Sequence, residues 1–459
     1  MVKVAILAAF AATTATAKIA SSVHRLLEVA DSVNVVVEFK DSNTQALRTA
    51  NLELNSIQGR GPRIAHLRSL LVKSMESSQQ AALELLTSQP EAFSVRAEQF
   101  HISNSLFLYG ATVFANEWGV DLISAPTVWA SGNRGQGVVV GVLDTGAIAT
   151  HDALKANYRS TYGWFDPTDK SATPIDTNGH GTHVVGTAVG ANGIGVAPGA
   201  QWIACRGCTT SSCPEAALTA CAQFMLCPTD AKGLNPKCEL APHVINNSWG
   251  GGSGSTWFQA NVNAWRAAGI IPVFANGNSG PSCRTANSPG DYKNVIGVGA
   301  VGSDDRLASF SSRGPARDGT LKPDVSAPGF QVRSAWSTGN SAYRTISGTS
   351  MASPHVTGAV ALYLSRNKGA TYAEVYRAFT TSTDTSRLTP ENKNCGGVSD
   401  ARYPNNSYGH GRINVARAIG GGPTPTTTRP TTRRPVPRVV NNEAEIAVLE
   451  QNLAELRGN

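Results

Sequence analysis

Three short segments carry the side chains best suited to covalent chemistry. Val138 to Leu143, apolar and rich in β-branched residues, runs straight into Asp144-Thr145-Gly146. That places a carboxylate at the carboxyl end of a buried strand, where an open α/β sheet forms its crevice. In Asn178-Gly179-His180-Gly181-Thr182-His183 a histidine is flanked by glycines, which let backbone or substrate come close to the imidazole. Ser347 to Pro354 leads into Val356–Leu364, apolar nearly all round and so a buried helix. Pro354 is tolerated only in a first turn, so the helix starts near Ser350. Its free N–H groups and positive dipole end then favour an oxyanion forming beside the hydroxyl.

Each segment alone is ambiguous. An Asp-Thr-Gly tripeptide also supplies half of an aspartic-protease dyad, but that chemistry needs a second carboxylate sharing the proton, and no second Asp-Thr-Gly or Asp-Ser-Gly occurs. His180 and His183 lack the H-E-x-x-H spacing and have no acidic residue between them, so no metal is expected there. Taken together the three are more telling. A serine hydroxyl attacks an amide at neutral pH only if a base accepts its proton, and the resulting imidazolium needs a fixed negative neighbour.

The strings VLDTG, NGHGTHVVGT and GTSMASPHVTGAVAL, in that order, resemble the three catalytic signatures of the subtilisin-like serine proteases, the subtilase family. The chain order Asp, His, Ser also matches that family and differs from the chymotrypsin-like order. The resemblance covers roughly residues 118–419 and implies Ser350 as nucleophile, His180 as general base and later acid, and Asp144 as the carboxylate that sets the imidazole tautomer. Val273 to Gly280 is similar to the family's A-A-G-N segment, which implies Asn278 as the side-chain donor to the oxyanion. Asn247 to Gly252 resembles the stretch that pairs with extended substrate by main-chain hydrogen bonds. The substrate contacts so implied are Ser248, Trp249, Gly250, Ala275, Asn276 and Gly277. Asn276 stands in the place of an alanine and is expected to line the first pocket. Trp249 stands where a smaller aliphatic residue is usual and either reshapes that pocket's wall or packs into the core.

The elements that must hold these residues follow from the apolar runs. Strands are expected at 138–143, 244–248, 270–274 and 294–300, near-continuous apolar segments of the kind found in parallel sheets covered on both faces. The fold expected is α/β, a three-layer, doubly wound, mostly parallel sheet preceded by a small α+β unit. With 459 residues and 41% hydrophobic content, the chain divides into residues 1–17, a signal peptide with an apolar core and an A-x-A site; 18–115, the α+β unit; 116–419, the peptidase domain; 420–440, a Pro/Thr/Arg-rich linker; and 441–459, a short amphipathic helix. In the helix Ile446, Leu449, Leu453 and Leu456 form the apolar stripe. The resemblance implies that 18–115 is a propeptide that assists folding and inhibits its own enzyme until cut, making the protein a zymogen.

The same reading bounds location and partners. No apolar run is long enough to span a membrane, and a dispersed net charge of +7 gives no reason to expect nucleic acid. Protein or peptide substrates are expected, in a secreted, extracellular setting. Eight cysteines, six of them between 205 and 238, fit disulfides in a secreted chain, with connectivity left open. No cofactor is required. Family members often bind structural calcium, but no acidic loop here assigns a site. Asn405-Asn406-Ser407 lies in a polar stretch and is the expected glycan site, whereas Asn246-Asn247-Ser248 falls in a buried strand and is discounted. The rival reading is an inactive secreted binding or adhesion protein on the same fold, which loss of Asp144, His180, Ser350 or Asn278 would have favoured.

Overall fold

The structure, a computed structural model, describes residues 33–39, 42–88, 96–101, 104–111 and 116–420. The expected signal peptide, most of the linker and the terminal amphipathic helix lie outside the described residues. Within the N-terminal region, β1 (Val33–Glu38), β2 (Arg96–Phe100) and β3 (Ser105–Ala111) form an antiparallel sheet in the order β1-β3-β2, joined by helices α1 (Ser42–Glu53) and α2 (Arg60–Ser88). Gln79 of α2 is fully buried and donates to the Asn104 Oδ1 and the Ser105 carbonyl, which ties the long helix to the β2–β3 turn.

The larger sheet is built from β4 (Val139–Asp144), β5 (Trp164–Phe165), β6 (Gln201–Arg206), β7 (Val244–Asn247), β8 (Ile271–Ala275), β9 (Ile296–Val301) and β10 (Val325–Pro328). All seven run parallel, in the order β10-β9-β8-β7-β4-β6-β5. The four strands expected from the sequence are β4, β7, β8 and β9. Strands β5, β6 and β10 were not anticipated: β5 is only two residues long, polar residues bracket the apolar centre of β6, and β10 has four residues and ends on a proline.

Alternation of side chains across the sheet creates two cores. On one face Val140, Val142, Trp202, Ala204, Val244 and Val273 pack with α3 (His180–Val189) and α6 (Thr349–Arg366). On the other Leu143, Ile203, Ile245 and Phe274 pack with α4 (Glu215–Leu226) and α5 (Gln259–Ala267). Helix–sheet–helix is the three-layer α/β architecture expected. Burial on both faces is also why the strands read as continuous apolar runs.

The eight cysteines form four disulfides: Cys205–Cys221, Cys208–Cys213, Cys227–Cys238 and Cys283–Cys395. The first staples β6 to α4 within the second core. The last joins residues 112 apart in sequence.

Candidate active site

Asp144 ends β4 with 1% of its surface exposed. Its Oδ1 accepts the Thr145 backbone N–H at 2.7 Å and the His180 Nδ1–H at 2.7 Å. A carboxylate only accepts, so Nδ1 carries the proton and Nε2 is left as a base on the exposed side of the ring. Burial alone pulls the His180 pKa down. The charge of Asp144 and its hydrogen bond, with a further contribution from Asp176, outweigh that effect and leave it raised above the ordinary imidazole value.

His180 is the first residue of α3, and the fit around it explains the glycines. A Cβ on Gly181 would come 2.0 Å from the Gly146 carbonyl oxygen, so only glycine lets the first turn of α3 lie against the loop that follows Asp144. Gly146 itself has φ +117°, which a side chain would strain. Beneath this contact lies Asp176, a residue the sequence reading missed. It is 5% exposed, and its two oxygens accept from Thr145 Oγ1, from the N–H groups of Asn178, Gly179 and Thr182, and from Thr182 Oγ1. Thr145 Oγ1 in turn accepts the Gly181 N–H at 2.9 Å. One carboxylate thereby satisfies free donors at the start of α3 and locks it to the Asp144 loop. The detectable signal was Asp-x-Asn-Gly just before a helix, a turn-and-cap pattern.

Ser350 is the second residue of α6, where N–H groups have no partner within the helix. Its Oγ donates to the Ser248 carbonyl at 3.2 Å in this conformer, rather than to His180. Asn278 accepts at Oδ1 from the Thr349 N–H at 2.8 Å and from Thr349 Oγ1 at 2.9 Å. Those two donors fix which end of the carboxamide faces Thr349 and turn its NH₂ outward, beside the nucleophile.

Asp144, His180, Ser248, Trp249, Gly250, Ala275, Gly277, Asn278 and Ser350 all border one cleft of about 460 Å³. Asn276 does not. It is fully buried, and its Nδ2 donates to the Ser312 carbonyl at 2.7 Å. The expectation that it lines the first pocket is corrected: successive side chains at the end of β8 point to opposite sides, and Ala275 takes the cleft side. Trp249 combines both roles foreseen for it, bordering the cleft while packing edge-to-face on Phe258 and Phe274 with ring centroids 5.0 and 5.6 Å away. The disulfide loop Cys208–Cys213 forms a further stretch of the rim and is anchored by the Cys208 N–H on the Asp144 carbonyl.

Other expectations resolve as follows. Asn405 is fully buried, its Nδ2 donates to the carbonyls of Asp400 and Arg402, and its Oδ1 accepts the N–H groups of Ser407 and Tyr408. The glycan expected there is corrected: the atom that would carry the sugar is enclosed and already used. His183 faces away from the cleft, with Nε2 shared between the carbonyls of Val332 and Arg344 and its pKa pushed down to about 3 by burial. Among the described residues no three His, Cys, Asp or Glu side chains are grouped to hold a metal ion.

Residues 135–411 match the subtilase family. Bacillopeptidase F of Bacillus subtilis (strain 168) is 39% identical over 329 residues, a match covering 66% of this chain and 22% of that longer protein. Subtilisin DY of Bacillus licheniformis is 36% identical over 307 residues, covering 66% of this chain and 97% of that protein. A crystal structure of a cold adapted subtilisin-like serine proteinase aligns over 60% of this chain and 94% of that chain at 29% identity, with a TM-score of 0.49. On the family match and the 36% identity that spans 97% of subtilisin DY, the chain belongs to the subtilase family of serine endopeptidases.

Proposed function

We propose that this protein is secreted as a zymogen and hydrolyses internal peptide bonds of protein substrates through an acyl-enzyme on Ser350, with His180 and Asp144 completing the triad and Asn278 donating to the oxyanion. The observation that carries the reading is the 2.7 Å Asp144–His180 hydrogen bond, set in the same cleft as a serine at a helix N-terminus and a carboxamide held with its NH₂ outward. Rotation about the Ser350 side chain moves Oγ from the Ser248 carbonyl to His180 Nε2, which takes the proton as Oγ attacks the scissile carbonyl. The oxygen becomes negative as the tetrahedral intermediate forms, and the Ser350 N–H and Asn278 Nδ2 donate to it. His180, now an imidazolium beside Asp144, returns its proton to the leaving amine. Water repeats the cycle on the ester.

The cleft edge from Ser248 to Gly250 supports pairing with extended main chain, and Trp249 supplies an aromatic wall. The α+β unit ahead of the peptidase domain supports the zymogen reading. The signal-like residues 1–17 and four disulfides support secretion. The test is mass-spectrometric mapping of a fluorophosphonate adduct on the processed, secreted protein, with Ser350→Ala as control. A single adduct on Ser350 is the expected result; no adduct on folded, processed protein sinks the reading and favours a binding role.

A further inference from the structure

Ser350 lies four residues before Pro354 in α6. In an α-helix the carbonyl of residue 350 takes the N–H of residue 354, and proline has none. The sequence thus deprives the nucleophile's own carbonyl of its helical donor. Ser248 fills the gap: its Oγ donates to the Ser350 carbonyl at 2.8 Å. Asn246, two residues earlier on β7, donates from Nδ2 to Ser248 Oγ at 2.9 Å, which leaves the hydroxyl proton for Ser350. The Asn246 carboxamide is fixed in its turn, because Oδ1 accepts from Ser353 Oγ at 2.8 Å and Thr357 Oγ1 at 3.0 Å. Asn246, Ser353 and Thr357 are 0% exposed and Ser248 is 5% exposed.

Four buried polar side chains directly behind one peptide group are costly to desolvate unless every bond is made, and a network so satisfied holds a single geometry. We propose that Ser248 and Asn246 are positioning residues for the nucleophile. The Ser248 hydroxyl stands in for the N–H that Pro354 lacks, and Asn246 aims it. Ser350 is thereby tied across to the strand that carries the substrate-pairing edge, instead of along its own helix. Both the Oγ and the N–H of Ser350 are then set relative to substrate by β7. The side-chain role of Ser248 is separate from the role of its carbonyl, which a substitution to alanine leaves in place. The inference rests on Ser350 being the nucleophile.

The test uses the processed, secreted enzyme with Ser248→Ala, Ser248→Thr, Asn246→Ala, Pro354→Ala and the double variant Ser248→Ala/Pro354→Ala. Fluorophosphonate titration counts competent sites, and a peptide substrate separates kcat from KM. Ser248→Ala is expected to lower kcat about tenfold with KM held within about twofold, Asn246→Ala to act in the same direction, and Ser248→Thr to retain activity. Adding Pro354→Ala to Ser248→Ala restores an N–H at position 354 and is expected to recover most of the lost kcat. If Ser248→Ala alone fails to fold, the double variant is expected to recover folded yield as well. The proposal is overturned by a Ser248→Ala enzyme within twofold of wild type, by a loss confined to KM, or by a double variant no better than Ser248→Ala. Absence of a wild-type adduct at Ser350 withdraws it together with the protease reading, and is read independently of the variants.

Discussion

Asp144 and His180 share one hydrogen bond of 2.7 Å across 36 residues of sequence, because the last residue of a central parallel strand meets the first residue of a helix capped by a second buried carboxylate. That bond sets the tautomer and the charge preference of the imidazole. Its consequences are measurable as pH dependence.

His180 serves as a base only when neutral, and its pKa is raised, so kcat/KM is expected to fall as pH drops through an apparent pKa above the imidazole value of 6.5. Asp144→Asn removes the larger of the two charges that raise it, leaving the smaller effect of Asp176 against burial, the largest effect, which lowers it. The acid limb should then move below 6.5 while the rate at neutral pH drops by about 10⁴-fold, as when such a carboxylate is replaced in other triads. A pH–rate profile of both enzymes checks the sign. An unmoved limb would assign it to another group.

Asn278→Ala should lower kcat about 10²–10³-fold with little change in KM, the cost typical of losing one oxyanion donor in this family. Thr349→Val removes one of the two donors that orient the Asn278 carboxamide and keeps the other, so a smaller loss in kcat is expected. Steady-state kinetics on one peptide substrate separates the two variants. Equal losses would argue that Thr349 acts by another route.

Asp176→Ala leaves the N–H groups of Asn178, Gly179 and Thr182 and two threonine hydroxyls without their shared acceptor. A loss of about 3 kcal/mol of stability follows from unsatisfied buried donors, with a lower kcat because the start of α3 carries His180. Urea unfolding and kinetics on the same preparation test both halves. Unchanged kcat with lowered stability would make Asp176 a purely structural anchor.

Removing Cys283–Cys395 should destabilise more than removing Cys208–Cys213, since closing loops of 112 and 5 residues restricts the unfolded chain by about 5 and about 2 kcal/mol in the chain-entropy picture. Paired Cys→Ser variants compared by urea midpoint give the order. The reverse order would place the stabilisation in native packing.

Asn405 should be recovered unmodified from secreted protein. Peptide mapping before and after treatment with an N-glycosidase tests this, and a deamidated Asn405 after treatment would show that modification precedes folding of that turn.

The residues proposed as catalytic stood out in the sequence because their neighbours are so constrained. Gly181 has to admit a backbone at contact distance, so the string around His180 admits few alternatives. Pro354, expected in a first turn, instead lies inside α6 as its sixth residue, where its missing N–H falls on the Ser350 carbonyl. The large sheet was legible for a related reason, burial on both faces. What escaped detection depended on direction or on polar burial. Asn276 was placed on the right strand end but on the wrong side, although period-two alternation from Ala275 carried the answer. The polar stretch around Asn405 read as surface, yet its side chain is spent on backbone groups in a buried turn. Asp176 acts through bonds to main-chain N–H groups, which leave almost no trace in residue types. Disulfide partners depend on three-dimensional proximity, and eight thiols permit 105 pairings.

The Cys283–Cys395 bridge has one more consequence for an enzyme that meets its own kind in solution. Any cut between Cys283 and Ser350, for example in the exposed turns near Asp304 or Asp318, places Asn278 and Ser350 on different fragments, yet the bridge keeps the fragments covalently joined. A nicked molecule would migrate as one band without reductant and as two with it, and both halves of its active site would stay within reach of each other. Autolysis in that stretch need not be inactivation.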